Sequence, residues 1–240
     1  MKKARNVFFL ITAMAVAGLL APEVWSYEAG EVANGGTING KVVFNGSVPM
    51  RKIIPTKDTE VCGGIQEVPL IKVGPDKGVQ EVVVHLQGVK KGKAWMKSEP
   101  AMPILDNKKC SFEPHVQVVA EEAAIEIHNS DPVLHNTHGF LDDKTVFNVA
   151  LPIQGMKINK SLKKPGLVRV DCDAHGWMRG WVYVADNPYY DITDEKGNFS
   201  ISEIPPGTYT LKTWQEEKGV MEQEVKVEAG KTVSLNIELK

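Results

Sequence analysis

The 240 residues exceed one average domain, and their 42% hydrophobic content is ordinary for a globular chain. The formal net charge is −2, with 28 Lys and Arg against 30 Asp and Glu, so there is no basic footprint of the kind nucleic-acid binding needs. Lys2, Lys3 and Arg5 precede an uncharged, mostly apolar run from Val7 to Ala21, and Val24-Trp25-Ser26 then offers a cleavage point before Tyr27. That order reads as a secretory signal over residues 1–26, with an uncleaved anchor as the alternative. The run is shorter than the roughly 20 residues a bilayer span needs, and no Cys follows it to take a lipid. Loss of Lys2, Lys3, Arg5 and Glu23 moves the net charge from −2 to −4. The expected product is periplasmic or secreted, with no membrane span after cleavage.

Beyond residue 26 the sequence holds no long amphipathic helix. Short β-prone runs are separated by Gly, Pro, Asn and Asp, the pattern of sandwiches and barrels. Residues 27–78 read as an N-terminal β extension, with a strand over Thr37–Phe44 closed by Asn45-Gly46. Val82, Val84 and Leu86 alternate with Glu81, Val83 and His85. Val116 and Val118 share one face of the next strand. Ala123, Ile125 and Ile127 share a face of the one after, opposite Glu126 and His128. His85 and His128 therefore read as solvated. Val168, Val170 and Cys172 are spaced by two, which carries the buried face of their strand on to Cys172. Trp181–Val184 reads as the return strand, so residues 173–178 are a loop between two strands.

After Asp186-Asn187-Pro188 the pattern restarts. Asp194 to Asn198 is a polar turn; it lacks the repeated oxygen ligands of a calcium loop. Phe199–Ile201, Thr208–Trp214, Met221–Val227 and Thr232–Leu239 read as strands. A unit of this size is near the lower limit for independent folding. It is expected to pack on the preceding domain or to borrow a strand from the N-terminal segment.

Three cysteines are an odd number for an exported chain. Cys62 and Cys110 are expected to pair as a disulfide, the alternative being two buried thiols. Cys172 would be protected by a metal. It opens Cys172-Asp173-Ala174-His175-Gly176-Trp177-Met178, a thiol, an imidazole and a thioether spaced C-x2-H-x2-M. Upstream, Asn129-Ser130-Asp131-Pro132-Val133-Leu134-His135-Asn136 supplies a second imidazole after a strand. Two histidines, one cysteine and a weak axial methionine are the ligand set of a blue-copper electron-transfer site. His138 competes with His135, but the two point to opposite faces of an extended strand. Met178 as core filler and Trp177 as simple packing are the plainer alternatives.

On Phe112-Glu113-Pro114, on Asn129-Ser130-Asp131 with His135-Asn136, and on Cys172, His175 and Met178, residues 79–185 resemble a cupredoxin of the plastocyanin-like family. The resemblance implies a Greek-key β-sandwich holding one copper ion, with His135, Cys172 and His175 equatorial and Met178 axial. It also implies Asn136 and His115 as supporting groups behind the ligands. Only two residues separate His175 from Met178, fewer than in plastocyanin, so the axial position is the one the departure touches. Residues 186–240 resemble a carboxypeptidase regulatory-like domain through Thr193-Asp194-Glu195-Lys196-Gly197-Asn198-Phe199 and Ile204-Pro205-Pro206-Gly207-Thr208-Tyr209-Thr210-Leu211, which implies a small prealbumin-like β-sandwich. The fold class expected for the whole is all-β.

The function expected is one-electron transfer between redox partners such as c-type cytochromes or a periplasmic oxidoreductase, through an apolar surface around Trp177 and an exposed edge of His175. No Ser/His/Asp order, paired-carboxylate signature or Gly-rich phosphate loop points to an enzyme. The alternatives are copper storage, delivery or sensing, and an envelope binding module whose metal site is vestigial.

Overall fold

The computed structural model describes residues 27–95 and 102–240; the expected signal over residues 1–26 lies outside them. The regular structure of the described residues is almost entirely strand, and it encloses two principal hydrophobic cores.

The first core lies inside a sandwich of two sheets. One sheet runs in the order Lys157–Ser161, Ala124–Asn129, Ile104–Lys108, Ser111–Glu113. The other runs Lys144–Leu151, His135–Leu141, Gly166–Cys172, Arg179–Ala185, Val116–Ala120. Strand alternation builds this core directly. Ala124–Asn129 buries Ile125, Ile127 and Asn129 and leaves the residues between them partly open. Gly166–Cys172 buries Val168, Val170 and Cys172 in the same way. Val168 and Val170 each contribute about 1.5–3 kcal/mol by leaving water. That burial pins the register, because a slip by one residue would turn Cys172 out to solvent.

The second core is formed by sequence that comes before and after the sandwich. Asn198–Ile204, Gly36–Val43 and Thr232–Glu238 make one sheet. Tyr190–Ile192, Val83–Gln87, Gly207–Gln215 and Gly219–Val227 make the other. The C-terminal unit thus borrows Gly36–Val43 from the N-terminal segment, one of the two arrangements expected, and takes Val83–Gln87 from beyond that segment as well. The boundary read at residue 79 moves accordingly. Val79, Val82, Val84, Leu86 and Val89 share a core with Ile38, Phe199 and Ile237 and not with the sandwich that follows them.

The reason for the misplacement is physical. Val83–Gln87 is buried on both faces. Val84 and Leu86 point into the second core, while Val83 packs on the far side with Val116 and Trp214, against Trp181 and Tyr183 of the first sandwich. His85, read as solvated, is 3% exposed, lies 3.4 Å from Asp186 and meets the Tyr183 hydroxyl. His128 is only partly open and contacts Glu126. Asp194 holds the polar turn, its carboxylate accepting the Lys196 and Asn198 backbone N–H groups.

One excursion from the second module reaches the first. Met50–Ile53 pairs with Gln66–Pro69, and between them a helical turn, Thr59–Cys62, runs out to the sandwich. Cys62 forms a disulfide with Cys110, their Cα atoms 5.1 Å apart. Among the described residues no helix is long and apolar enough to cross a membrane.

Candidate metal centre

Three side chains converge at one end of the sandwich. Cys172 ends its strand and His135 begins the neighbouring one; Thr137 lies opposite Cys172, so His135 falls just past the end of the Cys172 strand. Beyond Cys172 two tight turns fold the chain back. His175 N–H donates to the Cys172 carbonyl (3.2 Å) and Met178 N–H to the His175 carbonyl (2.9 Å), which brings the His175 ring over the sulfur. The two Nδ1 atoms lie 3.1 Å apart, and Cys172 Sγ is 3.8 Å from His135 Nδ1 and 3.7 Å from His175 Nδ1. Both imidazoles are 0% exposed and Cys172 is 2% exposed.

The far nitrogen of each ring is fixed by a carboxylate. His135 Nε2 is 2.9 Å from Asp131 Oδ2, and His175 Nε2 is 2.9 Å from Asp58 Oδ2. Asp131 is itself held by the Lys109 and Cys110 N–H groups, at 2.7 and 2.9 Å. A carboxylate accepts the Nε2 proton, which leaves each Nδ1 with its lone pair facing inward. The Asn136 N–H donates to Cys172 Sγ at 3.4 Å. Burial pushes the Cys172 thiol above its ordinary pKa, against the smaller pull of the Asn136, Ala174 and His175 N–H groups. Burial also pushes His135 below its ordinary pKa, against the upward pull of Asp131, and the neighbouring His175 adds to the fall.

This donor set fits a metal ion. Two lone pairs face each other in a buried pocket, and one thiol proton satisfies at most one of them. With metal–nitrogen bonds of about 2.0 Å and metal–sulfur bonds of about 2.3 Å, three donors in a plane stand about 3.5 Å (N to N) and 3.7 Å (N to S) apart. The observed triangle is close to that. Its soft sulfur and two imidazoles suit copper or zinc.

The remaining sequence candidates divide. Met178 is 3% exposed and sits in the core cluster that contains Cys172, with Trp177 packed against it. Asn136 supports the sulfur through its backbone; its side chain donates to Asn148 instead (2.8 Å). His138 does not join the triad. It lies on the other face of its strand, where Asp173 (3.1 Å) and Thr145 (2.8 Å) hold it. His115 is also elsewhere, 2.7 Å from Glu216, and it ties the first sandwich to the second module. Burial raises the pKa of Glu216, but the contact with His115 outweighs it and holds the carboxyl below its usual range.

The exposed His175 edge is likewise corrected, because Asp58 covers the outer nitrogen and the ring is fully buried. Trp177 is the aromatic group that leads outward. Its ring is 5.0 Å from that of His175, and it lines a cleft of about 670 Å³ together with Met178, Phe112, His115, Arg51 and Glu216.

Sequence reading missed Asp58 and Asp131 as supporting groups. Asp131 stands four residues before His135, inside a segment already singled out, so its spacing was a usable signal. Asp58 is 117 residues from its partner, and nothing local marks it.

A family model described as polysaccharide lyase family 4, domain II, matches residues 171–235, less than half of the chain. The match begins inside the first sandwich and runs into the C-terminal unit, and it is to another family than the carboxypeptidase regulatory-like one expected for residues 186–240. No curated protein matches the chain. Among solved structures, a Cu-containing nitrite reductase from Thermus scotoductus SA-01 is similar at 20% identity and TM-score 0.31, over 35% of this chain and 22% of that one. A purple cupredoxin from Nitrosopumilus maritimus is similar at 20% identity and TM-score 0.31, over 35% of this chain and 99% of that one. An oxidised proline-to-glycine variant of amicyanin is similar at 17% identity and TM-score 0.33, over 42% of this chain and 98% of that one. At likenesses this partial, the sandwich and its centre stand on their own geometry.

Proposed function

We propose that this chain is an exported copper protein in which His135, Cys172 and His175 would hold one ion, with Met178 as the weak fourth donor, and that it carries single electrons between redox proteins. The convergence of two inward-facing Nδ1 atoms and a buried sulfur carries this reading. Bound copper would supply a one-electron couple. Asp131 and Asp58 hold the two imidazoles, so the donors need not rearrange when the charge at the centre changes. With copper bound, the Asn136 N–H would draw electron density from the sulfur and so raise the potential. The thiol proton must leave on binding, so copper affinity falls as pH falls.

All three donors are buried, which favours a carrier over an enzyme. Trp177, beside His175 and lining the cleft, offers an aromatic route toward a partner such as a c-type cytochrome. Copper storage is the second reading, and the same burial favours it by slowing ion release. Rapid, reversible voltammetry would decide for the carrier.

Titration of metal-free protein with Cu(II) is expected to raise an intense thiolate-to-copper band in the visible range that saturates at one equivalent. Saturation without such a band would sink the proposal. Met178→Gln is expected to lower the reduction potential and alter the spectrum; an unchanged potential would remove Met178 from the centre.

A further inference from the structure

We infer that Asp58 is a positioning residue for His175, carried to the centre by the second module and locked there by the Cys62–Cys110 disulfide. The inference rests on the copper reading above, which it deepens: the centre is complete only when a segment of the other module is docked.

The local geometry singles out Asp58. It precedes the helical turn Thr59–Cys62 with φ 50° and ψ 35°, in the left-handed region, where Asp and Asn are among the few tolerated side chains. An aspartate at that position ordinarily caps its own helix by accepting a first-turn N–H. Here the side chain makes no capping bond. The Val61 and Cys62 N–H groups go to the Asp58 backbone carbonyl, at 2.9 and 2.8 Å. The carboxylate is thereby freed to meet His175 Nε2 at 2.9 Å.

The disulfide joins both carboxylates to one clamp. Cys62 ends the turn that Asp58 begins, and the Cys110 N–H donates to Asp131, the partner of His135. Both half-cystines are buried, and their sulfurs lie within 4.8 Å of a His175 ring nitrogen. A single cross-link between modules thus stands behind both imidazoles.

The test uses the full chain. Ring ¹⁵N shifts of metal-free protein report the His175 tautomer, and transfer of bound copper to excess chelator reports closure of the site. Wild type is expected to show the Nε2–H tautomer. Asp58→Asn should keep it, because the amide oxygen still accepts. Asp58→Gly, which suits the left-handed backbone, should give mixed tautomers and release copper at least tenfold faster, with little change in melting temperature. The Cys62→Ser, Cys110→Ser double variant should release copper as fast as Asp58→Gly. An Nδ1–H tautomer in wild type, or wild-type tautomer and release in Asp58→Gly, would overturn the positioning role. Wild-type release in the double variant would overturn the lock. Should wild type bind no copper, the copper reading fails by itself, and the tautomers of the metal-free proteins still decide for or against Asp58.

Discussion

Cys172→Ser is expected to remove the visible thiolate-to-copper band altogether and to weaken copper binding by more than about 100-fold. Even groups behind the ligands change metal affinity by about 10–100-fold, and Cys172 supplies the only sulfur in the triangle with His135 and His175. The fold should survive. Serine is close in size, and the Asn136 N–H that now meets the sulfur can donate to the new hydroxyl. Competition titration against a chelator of known affinity, with a melting curve beside it, checks both halves. Retention of a strong visible band by the serine protein would mean that position 172 does not hold the ion.

The second large effect concerns stability. The Cys62–Cys110 disulfide closes a loop over a sequence separation of 48. Constraint of the unfolded chain by a loop of that length is worth about 4 kcal/mol. Replacing both cysteines with serine should therefore lower stability by about that amount, read by denaturant unfolding of the metal-free protein. At about 2–4 °C per kcal/mol for a chain of this size, the melting temperature should fall by roughly 10 °C. A loss below about 1 kcal/mol would show that the docked hairpin is held by its noncovalent contacts alone.

Much of the architecture was legible because strands buried on one face write themselves into sequence with a period of two. Gly166–Cys172 and Thr232–Glu238 fall almost where alternation puts them. The same rule separates His135 from His138, since neighbours two apart across Thr137 would share a face and residues three apart cannot. The loop from Cys172 to Met178 was legible as chemistry because its donors are close in sequence. Where both faces are buried the rule fails: Val83–Gln87 alternates in sequence but hides Val83 and His85 as well as Val84 and Leu86, and it was assigned to the wrong sandwich. Asp58 was illegible for another reason. Its role depends on a hairpin docking across modules, and no local pattern encodes such a contact.

The borrowed strands also dictate an order of assembly. Both partners of Gly36–Val43, and both partners of Val83–Gln87, lie after residue 186. During synthesis these two segments emerge early and wait with open edges while everything between them is made. Cutting the chain near residue 186 would strand them permanently and give a sticky fragment. Excising the inner sandwich by itself would discard Asp58 and Cys62. Neither shortcut yields the intact centre, so the protein's two halves have to be inherited, expressed and studied as one.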